Sequence, residues 1–253
     1  LIRRQRQMCI RDRAALAAYP ELSCDSTQTY KVSPTWGVFE QVFCPSETTF
    51  KFFEGVMDEV IELFPSEYIH IGGDECPKTA WKNSAFCQQL IRQLGLKDDT
   101  TPSKIDGIKH SKEDKLQSYF VQRMEKYLSD KHGKKIIGWD EILEGGLAPS
   151  ATVMSWRGEE GGITAANMGH EAIMTPGSGG MYIDQFQGDP KIEPVSIGGY
   201  DPLSRVYAYN PTPDTLVTTG KANLIKGVQT NLWSEYMYLS LIHISEPTRR
   251  VVI

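Results

Sequence analysis

The chain has 253 residues, of which 40% are hydrophobic and 23% are charged, and its formal net charge is −5. These values are typical of a globular protein with one large domain or two small ones. No cluster of Lys and Arg lies in the body of the chain, which argues against a nucleic-acid partner, and no apolar run approaches the roughly 18 residues of a membrane-spanning helix.

The two ends of the chain differ from the sequence between them in pattern and composition. Residues 1–13 (LIRRQRQMCIRDR) and 240–253 (SLIHISEPTRRVVI) resemble translated adapter sequence rather than natural protein. We therefore divide the chain into a non-native-looking N-terminal tail (1–13), a body (14–239) and a non-native-looking C-terminal tail (240–253). A natural basic arm and a natural tail are the alternative.

From Ala14 onward, helical and strand-like segments alternate. The stretch 46–65 carries apolar residues at helical spacing, with Ser46 placed to cap the helix, and a strand follows at 68–71. A second helix is predicted over 113–131, with Gly133 as its stop. Further elements are predicted as strands over 134–141, 152–158, 171–177 and 225–235, and as a short helix over 159–168.

Strands separated by helices predict parallel pairing with right-handed crossovers, which leaves a doubly wound sheet or a (β/α)8 barrel. A doubly wound sheet would gather its functional residues at one switch point. Here polar and aromatic residues follow many predicted strands, as at the mouth of a barrel. The pattern therefore favours an α/β fold of the (β/α)8, TIM type, on the basis of Asp74-Glu75, Trp139-Asp140-Glu141, Trp156-Arg157, Tyr182 with Asp184, and Trp233 with Glu235.

The stretch YIHIGGDECP (68–77) places two carboxylates, Asp74 and Glu75, directly after an apolar strand and two glycines. Such a pair is most often a solvated loop feature. Gly72 and Gly73, however, allow the strand to break into a turn, so that both carboxylates can reach one cavity. Aromatic walls and an ionised Asp74 would favour the protonated form of Glu75, which a general acid needs near neutral pH.

Tryptophan residues lie near the same predicted edge of the sheet. Trp139, Trp156 and Trp233 each stand at the end of a predicted strand. A single Trp is most often part of a core. Several of them at one barrel mouth are typical of a sugar-binding pocket, because indoles cover the apolar C–H faces of a pyranose. Asp184 and Glu235 would accept hydrogen bonds from the sugar hydroxyls.

The histidines and cysteines of the body disfavour metal chemistry. No H-x-H or H-E-x-x-H spacing occurs, and His70 lies in the middle of a strand, where a structural imidazole is expected. The cysteine spacings match no zinc template, which needs C-x2–4-C pairs. Two alternatives stay open: buried free thiols, or disulfides that join Cys24 to Cys44 and Cys76 to Cys87. We expect no metal and no cofactor.

Several ordered motifs carry a resemblance to a known family. HIGGDE (70–75), KTAW (78–81), GWDE (138–141), SWRG (155–158), YIDQF (182–186) and GVQTNLWSE (227–235) resemble the motifs of family 20 glycoside hydrolases, the β-N-acetylhexosaminidases. AALAAYPELSC (14–24) resembles the segment after the family's third strand. The resemblance implies a TIM-type barrel, here truncated to approximately strands four to eight, and a glycan substrate with terminal β-linked GlcNAc or GalNAc.

The resemblance implies catalytic roles for three residues. Glu75 matches the general acid and base, Asp74 the residue that orients the 2-acetamido group of the substrate, and Tyr182 the hydroxyl that aligns the acetamido oxygen. The family uses no enzymic nucleophile. Instead the acetamido oxygen attacks the anomeric carbon and forms an oxazolinium intermediate, so two carboxylates need not flank the sugar at about 5 Å or more.

The resemblance also implies a substrate-binding site and a location. The walls of the sugar site match Trp139, Trp156 and Trp233, and the partners of its outer hydroxyls match Asp184 and Glu235. Members of the family are usually exported or lysosomal, so the resemblance implies an exported protein that is periplasmic, extracellular or lysosomal. The preference between GlcNAc and GalNAc, the natural glycan and the oligomeric state stay open.

Parts of the family pattern have no match in this sequence. An Arg that grips the terminal sugar and a His that supports the acid belong to the family's first three strands, and residues 11–13 (RDR) stand where a Pro-Gly-His segment is expected. We expect the open flanks of the parallel sheet to leave this chain unstable or inactive by itself. A sugar-binding fragment without catalysis is therefore the alternative function. A metal-dependent barrel hydrolase is disfavoured by the histidines.

Overall fold

The computed structural model of the chain describes residues 14–33, 37–103, 107–233 and 236. Five of its strands form one parallel sheet, in which each strand pairs with the next along the chain. The strands are β1 (Tyr68–Gly72), β2 (Lys135–Trp139), β3 (Thr152–Ser155), β4 (Ala172–Met174) and β5 (Ile225–Val228). This sequential order is that of a sector of a TIM-type barrel, and it confirms the predicted fold class over the doubly wound alternative.

Helices connect the strands and extend over the segments around them. Residues 14–18 are helical, and seven further α-helices lie in the described part of the chain. They are α1 (Glu47–Leu63), α2 (Thr79–Asn83), α3 (Ala85–Gln93), α4 (Lys112–His132), α5 (Glu160–Asn167), α6 (Leu203–Ala208) and α7 (Asp214–Thr218). Four of these, α2, α3, α6 and α7, were not predicted from the sequence.

The two longest helices begin and end where local chemistry dictates. The side chain of Ser46 accepts a hydrogen bond from the backbone N–H of Thr49, so it caps α1 as predicted. Ser111 and Asp114 form a reciprocal capping box at the start of α4. Gly133 ends α4 in the left-handed conformation, at φ 62°, which glycine adopts without steric cost.

The core lies between the sheet and the helices that cover it. Ile69, Ile136, Val153 and Ala172 come from four neighbouring strands and belong to one buried cluster, into which α4 packs Leu128. Full burial of a Leu or Ile side chain stabilises a fold by about 1.5–3 kcal/mol. This cluster therefore fixes the sheet and, with it, the positions at which the strands end.

Four of the five strands, β2 to β5, are shorter than the sequence predicted. The segment predicted as a strand over 134–141 leaves the sheet after Trp139, and residues Asp140–Leu143 form a turn of 3-10 helix. β3 ends at Ser155, β4 at Met174 and β5 at Val228.

Candidate active site

The turn after β1 has an unusual backbone. Gly72 and Gly73 have φ of 76° and 97°, and Glu75 has φ of 45°, the only positive φ of a non-glycine residue among those described. A Cβ atom on Gly73 would lie 2.7 Å from Cγ2 of Ile142. The glycines therefore break the strand as predicted, and the left-handed Glu75 marks a strained position of the kind that collects at functional sites.

Hydrogen bonds from Gln117, in helix α4, and from Lys78 hold this turn in place. The side-chain amide of Gln117 donates to the carbonyl oxygen of Gly73 at 2.7 Å. The ammonium group of Lys78 donates to the carbonyl oxygen of Cys76 at 2.7 Å and also to the side chain of Gln117. Both backbone carbonyls that flank the carboxylate pair are thus fixed by side chains, which limits how far Asp74 and Glu75 can move.

His70 supports the same turn from within β1. Its Nδ1 atom accepts a hydrogen bond from the backbone N–H of Gly72 at 3.0 Å. The imidazole packs edge-on against the indole of Trp139, with 4.9 Å between ring centroids. Burial lowers the pKa of His70 to about 4, so the ring is neutral near pH 7. These contacts fit the structural role that the sequence predicted.

Four aromatic side chains of the predicted site form two pairs. The ring centroids of Trp139 and Trp233 lie 6.1 Å apart at 51°. Those of Trp156 and Tyr182 lie 6.4 Å apart and are nearly parallel, at 13°. The strand ends therefore gather aromatic surface at one edge of the sheet, as a sugar pocket requires.

Tyr182 lies among carboxylates. Burial, followed in order by the negative charges of Asp140, Asp184, Glu141 and Asp74, raises the pKa of Tyr182 above its ordinary value. The phenol therefore keeps its proton and can donate a hydrogen bond. Asp74 and Asp184, two predicted site residues from distant parts of the chain, are thus near enough for their charges to act on this hydroxyl.

Backbone hydrogen bonds join the segment of Tyr182 to the segment of Trp233. Ile183 donates its N–H to the carbonyl oxygen of Asn231 at 2.9 Å, and Asn231 donates to that of Met181 at 2.6 Å. The side-chain amide of Asn231 also donates to Oγ1 of Thr175 at 2.6 Å. Glu235, the remaining predicted site residue, lies outside the described residues.

Glu75 opens onto a polar cleft. The cleft has a volume of about 390 Å³ and is lined by Val38, Glu75, Cys76, Pro77, Lys78, Gln117, Glu141, Glu144 and Arg157. The expectation that aromatic rings would wall and desolvate Glu75 is wrong for the described residues, because Glu75 is exposed and its neighbours in the cleft are mostly polar. The turn leaves Glu75 exposed to solvent.

A network that sequence reasoning did not assign to the site positions Trp156. The indole N–H of Trp156 donates to the carboxylate of Glu141 at 2.9 Å. Arg157 donates through Nε to Asp140 at 2.7 Å and through Nη1 to Glu144 at 2.9 Å. Asp140 and Glu141 are almost fully buried. The sequence did contain a signal for this network, since the Trp-Asp-Glu motif follows one strand and the Trp-Arg motif follows the next.

Glu141 carries the pH-dependent charge of this network. Burial raises its pKa to about 8, against the opposing effects of the Trp156 N–H and of Arg157. In the unfolded chain the same carboxyl titrates near about 4.3. Folding therefore favours the protonated form of Glu141. The stability that this contributes is fully present below the unfolded-state pKa of about 4.3 and is lost as the pH rises to the folded-state pKa of about 8.

We expect Glu141→Gln to remove this loss of stability. The melting temperature of the variant, relative to that of the unsubstituted chain, should rise by several degrees between pH 5 and pH 8, since 1 kcal/mol shifts a domain of this size by about 2–4 °C. Circular dichroism melts at several pH values measure it. Glu144→Gln, which removes another partner of Arg157, is the control. A difference that does not change with pH would contradict the expectation.

Comparison with known proteins identifies the family. The family profile described as glycosyl hydrolase family 20, catalytic domain, matches residues 11–241. A β-hexosaminidase of Porphyromonas gingivalis is 56% identical over 228 residues, which are 90% of this chain and 27% of that protein. A β-hexosaminidase of Vibrio furnissii is 33% identical over 88% of this chain and 34% of its own length. The chain belongs to glycosyl hydrolase family 20.

Solved structures agree with this assignment. Flavobacterium johnsoniae chitobiase is 28% identical and superimposes with a TM-score of 0.69 over 88% of this chain and 30% of its own. An exo β-N-acetylglucosaminidase of Vibrio harveyi in complex with N-acetylglucosamine is 27% identical, with a TM-score of 0.68 over 88% of this chain and 33% of its own. The chain thus spans about a third or less of the relatives named here. No helix in the described residues is long and apolar enough to cross a membrane.

Proposed function

We propose that this chain is the catalytic part of a retaining, exo-acting β-N-acetylhexosaminidase that removes terminal β-linked GlcNAc or GalNAc. The observation that supports this most directly is the charge environment of Tyr182. Its protonated hydroxyl lies within the influence of the charges of Asp74 and Asp184, and its ring stacks on Trp156. A hydrogen-bond donor beside an indole and two carboxylates suits an acetamido sugar, which offers a carbonyl oxygen, an N–H and hydroxyls.

In the proposed mechanism the substrate supplies the nucleophile. The Tyr182 hydroxyl donates to the acetamido oxygen and holds it toward the anomeric carbon, while Asp74 accepts a hydrogen bond from the acetamido N–H. Glu75 gives its proton to the glycosidic oxygen as that bond breaks, and the acetamido oxygen closes the oxazolinium ring. Trp139, Trp156 and Trp233 cover the sugar and the acetamido methyl group.

Water completes the proposed reaction. Glu75, now ionised, takes a proton from a water molecule that attacks the anomeric carbon and opens the oxazolinium ring. Two inversions at that carbon give net retention. The exposure of Glu75 on the polar cleft supports this role, because both the leaving group and the water must reach it from the same side. Asp184 and Glu235 are the proposed partners of the outer sugar hydroxyls.

Three further expectations remain proposals. We propose a glycan as the partner and no nucleic acid, and we propose export to the periplasm, the exterior or the lysosome. The division of the chain into a body of residues 14–239 and two non-native-looking tails also remains a proposal, since residues 1–13 and 237–253 lie outside the described residues. A sugar-binding fragment without catalysis is the alternative function.

The experiment compares two aryl glycosides. Residues 14–239 replace the matching segment of the Porphyromonas gingivalis β-hexosaminidase, and the chimaera and the chain itself are assayed with the β-N-acetylglucosaminide and with the β-glucoside. We expect the chimaera to hydrolyse only the substrate with the acetamido group. Hydrolysis of both substrates at similar rates would require an enzymic nucleophile and would contradict the mechanism. No hydrolysis by a folded chimaera that still binds N-acetylglucosamine would favour the binding fragment.

A further inference from the structure

Three cysteine side chains that the proposed mechanism does not use converge in the fold. The Sγ atom of Cys87 lies 3.5 Å from that of Cys24 and 3.8 Å from that of Cys44. All three sulfur atoms lie within 4.8 Å of one another, in the one group of possible metal ligands found among the described residues. Cys24, Cys44 and Cys87 are free thiols. Cys76 lies outside the group, so its pairing with Cys87 is not observed.

The three cysteines come from segments that are far apart in the sequence. A short antiparallel bridge between Ser23 and Phe43 brings Cys24 and Cys44 together. Cys87 lies in the first turn of α3, and its N–H donates to the side chain of Ser84, which caps that helix. Because each cysteine belongs to a different segment, no pair has the close spacing by which a zinc site is recognised in sequence.

The spacing of the sulfur atoms suits a bound soft cation. Cys44 and Cys87 are buried in an apolar cluster with Trp81 and Ile91. The positive end of the α3 dipole favours negative charge at Cys87. Thiolates select zinc or copper(I), and sulfur atoms that surround one zinc ion at about 2.3 Å in a tetrahedron are about 3.8 Å apart. The observed separations are close to that value and far from the roughly 2.05 Å of a disulfide.

A fourth polar side chain lies close to the group, near the thiols of Cys24 and Cys87. The Ser84 hydroxyl accepts a hydrogen bond from the backbone N–H of Cys87, and the residue is almost fully buried. It stands three residues before Cys87, so Ser84 and Cys87 have the spacing of a C-x2-C zinc pair with serine in the first position. A hydroxyl or a water molecule therefore has a place beside the three sulfur atoms.

We propose that Cys24, Cys44 and Cys87 bind one zinc ion as thiolates, with Ser84 or a water molecule in the fourth position. Binding releases the thiol protons and joins the two segments around Cys24 and Cys44 to α3. The site is structural. It lies beside Trp81, whose indole N–H donates to the carbonyl oxygen of Phe43 at 2.9 Å, and it steadies the region that follows the Glu75 turn.

Metal content of the purified chain tests the proposal without any assay of hydrolysis. The chain is produced with zinc under reducing conditions and analysed by mass spectrometry of its elements. We expect one zinc ion per chain, retained in the control variants Cys9→Ser and Cys76→Ser. Cys87→Ser should lower zinc affinity at least about 10-fold, as measured by competition with a chromophoric chelator.

If Cys87→Ser does not fold, a variant that is expected to bind zinc more tightly still tests the proposal. Ser84→Cys completes a set of four thiolates, so it should bind zinc more tightly than the unsubstituted chain and should give the charge-transfer absorption of tetrahedral cobalt thiolate when Co²⁺ replaces zinc. A folded chain without stoichiometric zinc would overturn the proposal. So would an intact mass lower by two hydrogen atoms, which reveals a disulfide.

Discussion

Glu75→Gln is expected to lower kcat of the chimaera on an aryl β-N-acetylglucosaminide by about 10²–10⁴-fold, because glutamine has no proton to give to the leaving oxygen. KM should change little, since the sugar contacts of the tryptophans and Tyr182 remain. The loss should be smaller for a dinitrophenyl glycoside, whose leaving group departs without protonation. Steady-state kinetics with the two leaving groups measures both effects.

The control for this prediction is Glu59→Gln, which removes an exposed carboxylate from α1. It should leave kcat unchanged. If Glu75→Gln kept the full rate on the poor leaving group, another residue would have to be the acid. Glu141 would then be the next candidate, because it lines the same cleft and burial raises its pKa to about 8.

Asp74→Asn is expected to lower kcat by about 10²–10³-fold, since a neutral amide stabilises the positive charge that develops on the acetamido nitrogen less well than a carboxylate does. The effect should be larger than that of Tyr182→Phe, which removes one neutral hydrogen bond. Both variants are assayed in the chimaera with the same β-N-acetylglucosaminide.

Asp130→Asn is the control for Asp74→Asn, because Asp130 is exposed at the end of α4 and pairs with Lys126 there. Its rate should equal that of the unsubstituted chimaera. Asp74→Asn with an unchanged kcat would end the role proposed for Asp74. A large rise in KM with unchanged kcat would mean that Asp74 binds the sugar equally in the ground state and in the transition state.

Local chemistry made much of the fold predictable. Ser46 and Gly133 bound helices that the hydrophobic spacing already indicated, and both ends are observed. The strands were placed correctly, but β2 to β5 were predicted too long. At β2, for example, apolar Trp139 and polar Asp140 look like one alternating pattern although only the first lies in the sheet. The short helices α2 and α3 were missed, since helices of this length depend on tertiary contacts more than on their own sequence.

The candidate site was predictable in its members and less so in its arrangement. The sequence pattern indicated the Asp74-Glu75 turn and the aromatic residues, and the described ones gather at the strand ends. The exposure of Glu75 was not predictable, because it depends on which way a left-handed residue turns the chain. The burial of Glu141 was not predictable either, because it depends on the 3-10 turn that follows β2. The sulfur group was also beyond reach, since Cys24, Cys44 and Cys87 meet only through long-range contacts.

The hydrogen bonds between the Tyr182 and Asn231 segments determine where the chain can change in length. Because Met181 and Ile183 are tied to Asn231 by backbone hydrogen bonds, the chain between them leaves and re-enters the fold at fixed points. Residues 185–221 lie outside the sheet, between this anchor and β5. Loops anchored in this way tolerate changes of length at little entropic cost, so this segment can be lengthened or shortened while Tyr182 keeps its place.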